Sequence, residues 1–236
     1  MNKKEIFIGY FDIISSDEHL FDKLTEVNLV GNGFKKNIYE IENIISQDEI
    51  ELLLKLQKDN STIPVGIDGI AKNYVKGDKV HSYRSTFYSE SIAEILFKRI
   101  QHKLSLMTSA YENSHDLFKP VGLNPAFRFI DYTQDGFLVP HYDFPYKKND
   151  NVLTLMSLVI YLTSSLDGKT RFIREHRIND YSDWDRKAKT EEILFAVSPK
   201  AGSALLFPHN ILHDSETVDS NKVILRTDVL FKRIEK

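Results

Sequence analysis

Cysteine is absent from the 236 residues. Disulfides, thiolate nucleophiles and thiolate metal sites are therefore excluded, and any metal must be held by His and carboxylates. Long apolar runs are missing too, so no segment reads as a membrane span. The start, MNKKEIFIGYFDII, is basic, but acidic residues interrupt its apolar stretch too soon for a signal peptide. A cytoplasmic protein is the expectation. Neither sign of charge dominates: 31 Lys and Arg against 34 Asp and Glu leave a net charge of −3. That balance exerts no general pull on nucleic acid or anionic lipid, so neither partner is expected. Internal repeats and low-complexity tracts are also lacking.

What is present is the make-up of a folded domain, with 42% hydrophobic and 28% charged residues. The length suits one domain over 1–236. Its first half, 1–124, reads as supporting helices and substrate-side loops. Ser46-Gln47-Asp48-Glu49 is a capping-box pattern opening an amphipathic segment through Leu56. Ser89 caps a second predicted helix, in which Ile92, Ile95, Leu96 and Ile100 recur at helical spacing. Between them, residues 60–80 hold Pro64, Gly66, Gly69 and Gly77 without periodicity, which predicts a long structured loop of the kind that is often functional.

From about residue 125 the pattern shortens to strands. The expected strands are Phe127–Tyr132, Phe137–Asp143, Leu153–Leu162, Lys169–Ile173, Ile193–Val197, Ala204–Phe207 and Val223–Phe231, broken by Gly136, Asp167-Gly168, Pro199 and Gly202. Many short strands with such breaks predict a sandwich or jelly roll over 125–236. Residues 174–190 form a polar insertion, read as a surface lid or a solvated loop.

His141-Tyr142-Asp143, answered by His213, is the chemistry-bearing pattern. Two imidazoles and one carboxylate on one face of an ion leave three positions open, the facial triad that suits non-haem Fe(II). In a strand, residues i and i+2 point the same way, so His141 and Asp143 are expected to share a face. His209 and His213 have the i,i+4 spacing of a zinc helix, but no Glu follows His209 and Pro208 precedes it. The last strand places Lys222, Ile224, Arg226, Asp228 and Leu230 on one face and Val223, Leu225, Thr227, Val229 and Phe231 on the other. Its charged face reads either as a ligand-facing barrel wall or as an Arg226–Asp228 pair on a solvated edge. His81-Ser-Tyr-Arg84-Ser-Thr86 reads as facing substrate or as a polar strand edge. His19, His102 and His115 read as surface residues.

Residues 125–231 resemble the Fe(II)- and 2-oxoglutarate-dependent dioxygenases, within them the prolyl 4-hydroxylase-like group. The ordered matches are Arg128-Phe-Ile-Asp-Tyr132, Gly136-Phe137, His141-Tyr-Asp143, the apolar strand ending Tyr161-Leu162, and Asp167-Gly168-Lys-Thr170-Arg-Phe172. Pro199-Lys-Ala-Gly202, Leu212-His213 and the stretch from Lys222 to Val229 complete them. The resemblance implies a mainly β fold with supporting helices, a double-stranded β-helix (jelly roll) with helices of the N-terminal half packed outside. It implies Fe(II) held by His141, Asp143 and His213, with 2-oxoglutarate and O2 as cosubstrates and ascorbate as a further candidate. Tyr132 and Tyr161 match positions whose hydroxyls meet the cosubstrate, though a buried Tyr with a satisfied hydroxyl is also a structural feature. The cosubstrate's 5-carboxylate would meet Arg226 or Lys222, and Arg226 is preferred for its planar fork. Asp167 stands where the family has the first of two glycines, and the His213–Lys222 loop is about one residue short. The implied reaction hydroxylates an unactivated C–H bond while 2-oxoglutarate becomes succinate and CO2. Its substrate would be a prolyl or other amino-acid residue, in a peptide or protein, or a small metabolite. The presence of Asp143 favours hydroxylation over halogenation. The alternatives are a non-catalytic jelly-roll module for an anionic ligand and an oxidative nucleic-acid demethylase on the same fold.

Overall fold

A strand with one apolar face needs a second layer to cover it, and a strand apolar on both faces needs two. The computed structural model, which describes residues 24–31, 34–104, 107–109, 116–174 and 186–234, shows both cases. The N-terminal half contributes β1 (Leu24–Gly31), β2 (Phe34–Ile41), α1 (Gln47–Asp59), β3 (Ile63–Val65), β4 (Ser82–Tyr88), α2 (Glu90–Ile100), β5 (Met107–Ser109) and β6 (Asp116–Leu123). Then follow β7 (Ala126–Tyr132), β8 (Gly136–His141), β9 (Lys147–Asn149), β10 (Val152–Tyr161), β11 (Thr170–Ile173), β12 (Ile193–Val197), β13 (Ala204–Pro208), β14 (His213–Val218) and β15 (Lys222–Arg233).

The larger sheet runs β1-β2-β13-β10-β15-β7-β4-β3, with β6 beside β15, β5 beside β6 and β9 beside β10; the smaller runs β12-β11-β14-β8. Ladders within both sheets are antiparallel. This is the mainly β, jelly-roll arrangement expected of residues 125–236.

Alternation assigns each side chain to a layer. On β7, Phe127 and Phe129 pack with Ile50, Leu53, Leu56, Ile92 and Leu96 of the two helices. Ile130 and Tyr132 turn the other way, into a core shared with Phe172, Val197 and Val218 of the smaller sheet. Strand β15 behaves alike: Val223, Leu225, Val229 and Phe231 face the helix layer, and Lys222, Ile224, Arg226 and Asp228 line a cavity between the sheets. The structure excludes a solvated-edge setting for that charged face, because β15 lies between β10 and β7.

Both predicted helix starts are present. Ser46 Oγ accepts from Glu49 N at 3.3 Å while Glu49 Oε2 accepts from Ser46 N at 2.7 Å, and Ser89 Oγ accepts from Ile92 N. Glu49 then pairs with Arg99 of α2 through two bonds of 3.0 and 2.8 Å, and Arg99 also donates to Ile44 O. Both side chains are fully buried. Arg99→Met is expected to lower stability by about 3–5 kcal/mol in urea unfolding, because it strands a buried carboxylate. Adding Glu49→Gln to that variant should restore part of the loss.

The expectation of a largely helical first half is corrected: among its described residues, beside α1 and α2, six strands join the larger sheet. Strand β2 pairs with β13 and β4 with β7, so the sheet continues across residue 125. Strands β1 and β2 pair antiparallel from Leu24↔Ile41 to Gly31↔Phe34, and the polar residues among them hide the strand pattern in the sequence. The predicted loop at 60–80 is ordered by β3, by a one-turn helix at Ala71–Asn73, and by Val139 N donating to Ile67 O at 2.9 Å. His19, His115 and most of the 174–190 insertion lie outside the described residues. His102 is exposed.

Gly136 opens β8 in a crowded corner, where an added Cβ would lie 2.2 Å from His81 O and 2.7 Å from Thr133 O. Gly136→Ala should therefore cost about 1–3 kcal/mol, read as a lowered thermal midpoint, and disturb the strand that carries His141.

Candidate active site

Pairing of β8 with β14 sets His141 directly opposite His213, and their ring centroids are 4.3 Å apart. Each Nδ1 lies 2.9 Å from a carbonyl two residues earlier, Val139 O for His141 and Ile211 O for His213. Carbonyls accept only, so both Nδ1–H groups donate and both Nε2 lone pairs are left for another partner. Asp143 provides the third donor: its Oδ1 is 3.8 Å from His141 Nε2 and its Oδ2 is 3.7 Å from His213 Nε2. One ligand atom from each residue lies within 4.8 Å of the others. Donors about 2.1 Å from one ion, at right angles, sit roughly 3 Å apart, so a small contraction would close the triad on a divalent cation. The donor set, two neutral imidazoles and a carboxylate, fits Fe(II).

One element of the sequence argument needs correction. Strand β8 ends at His141, so Asp143 does not reach the site by i,i+2 alternation. Instead Asp143 N donates to His209 O at 3.2 Å, which turns the chain inward past the strand's end.

Burial pushes the pKa of His213 down to about 3, with the neighbouring His141 adding to the effect. His141 is lowered as well, chiefly by burial. Both imidazoles are thus neutral at physiological pH and fit to ligate. Burial works the opposite way on Asp143, yet Arg226, His213, His141 and the Ser157 hydrogen bond outweigh it and hold the carboxyl well below the usual range. Arg226 Nη2 lies 2.7 Å from Asp143 Oδ1, 3.2 Å from Ser157 Oγ and 3.3 Å from Asp228 Oδ1.

The cavity above these groups measures about 300 Å³, the low end for a small-molecule site. Lys222, only 1% exposed, lines it about 13 Å along β15 from Arg226, given roughly 3.3 Å per strand residue. Its Nζ donates to Ser215 Oγ at 2.7 Å and sits 4.6 Å from the Tyr132 ring centre, with no carboxylate of a described residue in ion-pair contact. Burial brings its pKa down to about 7, against the pull of Asp214 and Glu216. Asp214 itself is gripped by Arg171 through bonds of 2.8 and 2.6 Å.

Of the residues the sequence singled out, the structure brings His141, Asp143, His213, Lys222, Arg226 and Tyr132 to one cavity. Tyr161 is fully buried outside the lining and donates its hydroxyl to Thr170 Oγ1 at 2.8 Å, the structural alternative for a buried tyrosine. His209 follows strand β13, not a helix, and its Nε2 lies 3.3 Å from Asp228 Oδ1; the zinc-helix arrangement is absent. Strand β4 lies between β7 and β3, so Arg84 is on no polar edge, and it lines the cavity. Sequence reasoning missed Ser157 and Ser215, and quoted Arg128 and Thr170 within motifs without giving them a role. Arg128 was recoverable, since alternation with Ile130 and Tyr132 puts it on the inward face.

Residues 127–227 match the family described as the 2OG-Fe(II) oxygenase superfamily. That span holds the whole triad and Lys222. Over that span the chain is similar to that superfamily. A prolyl hydroxylase of Trichoplax adhaerens, solved with a peptide fragment of the hypoxia inducible factor oxygen degradation domain, shares the fold. Its TM-score is 0.50 at 12% identity, over 81% of this chain and 82% of that one. A prolyl-4-hydroxylase of Pseudomonas putida aligns with a TM-score of 0.48 at 13% identity, over 84% of this chain and 92% of that one. Among curated proteins, 98 residues, 40% of this chain, align at 30% identity with the trigger factor of Leptospira interrogans, spanning only 22% of that protein. No helix among the described residues is long and apolar enough to cross a membrane.

Proposed function

We propose that this oxygenase hydroxylates an unactivated C–H bond of a prolyl or other amino-acid residue or of a small metabolite. His141, Asp143 and His213 would hold Fe(II), and the 5-carboxylate of 2-oxoglutarate would meet Lys222. The observation that carries the reading is the convergence of two Nε2 lone pairs and one ionised carboxylate at the wall of a cavity whose far end holds a buried ammonium with no described carboxylate in ion-pair contact. Of the two candidate cations, Lys222 fits better than Arg226. Arg226 already faces Asp143 and Asp228, whereas an ammonium paired only with a hydroxyl is costly to bury and favours an incoming carboxylate.

Iron and 2-oxoglutarate together would supply oxygen activation, with succinate and CO2 as by-products. The chain's own residues prepare for this. The carbonyls of Val139 and Ile211 fix both imidazole tautomers, and Arg226 with Ser157 keeps Asp143 ionised and oriented. Tyr132, Thr170 and Ser215 shape the end of the cavity around Lys222. Ascorbate, if used, would act as a reductant for iron in solution. Retention of Asp143 supports hydroxylation over halogenation, and the net charge of −3 supports a substrate other than nucleic acid.

Anaerobic addition of Fe(II) and then 2-oxoglutarate should produce the weak visible metal-to-ligand charge-transfer band, and oxygen should then release succinate. A chain that binds neither the metal nor the acid at millimolar concentrations would refute the reading.

A further inference from the structure

Three guanidinium groups line one wall of the cavity, although the proposed chemistry uses only one of them. Arg84 on β4, Arg128 on β7 and Arg226 on β15 all belong to the lining. Cross-strand register sets Arg128 directly opposite Arg226, and Arg84 opposite Ile130, one diagonal step from Arg128. Like charges directly opposed across strands destabilise a sheet, so this row needs anions. Asp143 and Asp228 supply two, and both lie against Arg226. Neither Arg84 nor Arg128 makes a hydrogen bond or ion pair with a described residue, and the Nε of Arg84 is fully buried with no acceptor. Burial, and then the neighbouring arginines, lower the pKa of both.

We infer that Arg84 and Arg128 form an anion-binding subsite that recognises a carboxylate on the substrate. Two planar forks on adjacent strands match the planar oxygens of a carboxylate. The subsite lies toward the iron-ligand end of the cavity, with Arg128 beside the Arg226–Asp143 pair and away from Lys222. A carboxylate held there would place neighbouring carbons near the triad. The loop at 60–80 crosses this spot: a Cβ on Gly69 would come 3.8 Å from Arg84 Nη2 and 2.8 Å from Leu138. Its φ of +70° also favours glycine. Phe144 and Ile70, exposed by 86% and 48%, rim the same cavity. The substrate class that fits is a small amphiphilic acid, such as a free or N-acylated amino acid.

The identity of this anion as substrate rests on the proposed function; the anion site itself does not. The test loads the chain with Zn(II) and 2-oxoglutarate and follows its thermal midpoint as acetate or inorganic phosphate is added at constant ionic strength. A saturable rise is expected. Arg84→Gln and Arg128→Gln should each weaken it at least tenfold, while Arg84→Lys and Arg128→Lys, which keep the charge but lose the fork, should weaken it less. Acetate acting at lower concentration than phosphate supports the carboxylate, and the reverse order overturns that assignment. With Fe(II) in place of zinc, all four variants should still form the charge-transfer band. No saturable effect on the unsubstituted chain, or no change in the glutamine variants, would overturn the subsite. Loss of the band in those variants would overturn it too, by assigning the arginines to the cosubstrate. If the unsubstituted chain forms no band but still binds acetate through these arginines, the iron reading fails and the subsite stands.

Discussion

Asp143→Ala is expected to abolish the charge-transfer band and oxygen-dependent succinate release together. It removes the only carboxylate of the triad and leaves Arg226 with Asp228 alone. The loss should exceed the roughly 10–100-fold that follows removal of an outer-shell partner. Ser157→Ala, which deletes only the hydroxyl donating to Asp143 Oδ2, should fall within that smaller range. Equal losses in the two variants would show that Asp143 is not a ligand. The histidines add a pH signature. In the metal-free chain His213 titrates near 3, below its ordinary 6.5. Between those values the unfolded chain binds the proton that the folded chain refuses. Stability must therefore drop as pH falls from about 6.5 toward 3, and Fe(II) should oppose the drop by binding only the neutral imidazoles.

The second large effect separates the two cations. Lys222→Met should raise the KM for 2-oxoglutarate by about 10–100-fold, the scale of a hydrogen-bonded charge contact worth roughly 1.5–3 kcal/mol. The same substitution should stabilise the ligand-free chain, because it removes a buried ammonium with no described carboxylate in direct contact. Lower affinity with higher stability is a combination that loss of packing would not produce. pH dependence gives an independent check. The folded-state pKa of Lys222 is lowered to about 7 from 10.5, so the unfolded chain holds the extra proton throughout that window. Ligand-free stability consequently rises as pH climbs from about 7 to 10.5. An incoming carboxylate favours the charged ammonium, so cosubstrate affinity should fall above pH 7, about fivefold between pH 7 and 8. Lys222→Arg should flatten that fall, since a guanidinium stays charged. A wild-type KM that is level from pH 6.5 to 9 would show that Lys222 is not the anchor.

Several features were legible because local chemistry decides them. Ser46 and Ser89 cap helices by bonding amide groups three residues away, a contact that needs no tertiary partner. The two faces of β15 follow from period-two alternation alone. Ile193–Val197 is bounded in the structure as it reads in sequence. Strands β1 and β2 were invisible for the opposite reason. LTEVNLVG and FKKNIYEI carry no clean apolar alternation, and they are strands because they pair with each other and β2 pairs with β13.

The order of His141, Asp143 and His213, the absence of thiolates, and the polar face of β15 were properties of the chain as written, because residue type and short spacing determine them. Tertiary structure decided the rest. It brought Arg84 from β4 beside Arg128 from β7, turned Asp143 inward through His209, and removed Tyr161 from the cavity by pairing it with Thr170. It also gave Lys222 and Arg226 different surroundings. Both share one face of one strand, yet carboxylates lie against the second within ion-pair distance, whereas the first has only a hydroxyl that close among the described residues. Such choices depend on which charges meet across strands distant in sequence, and no local pattern encodes that.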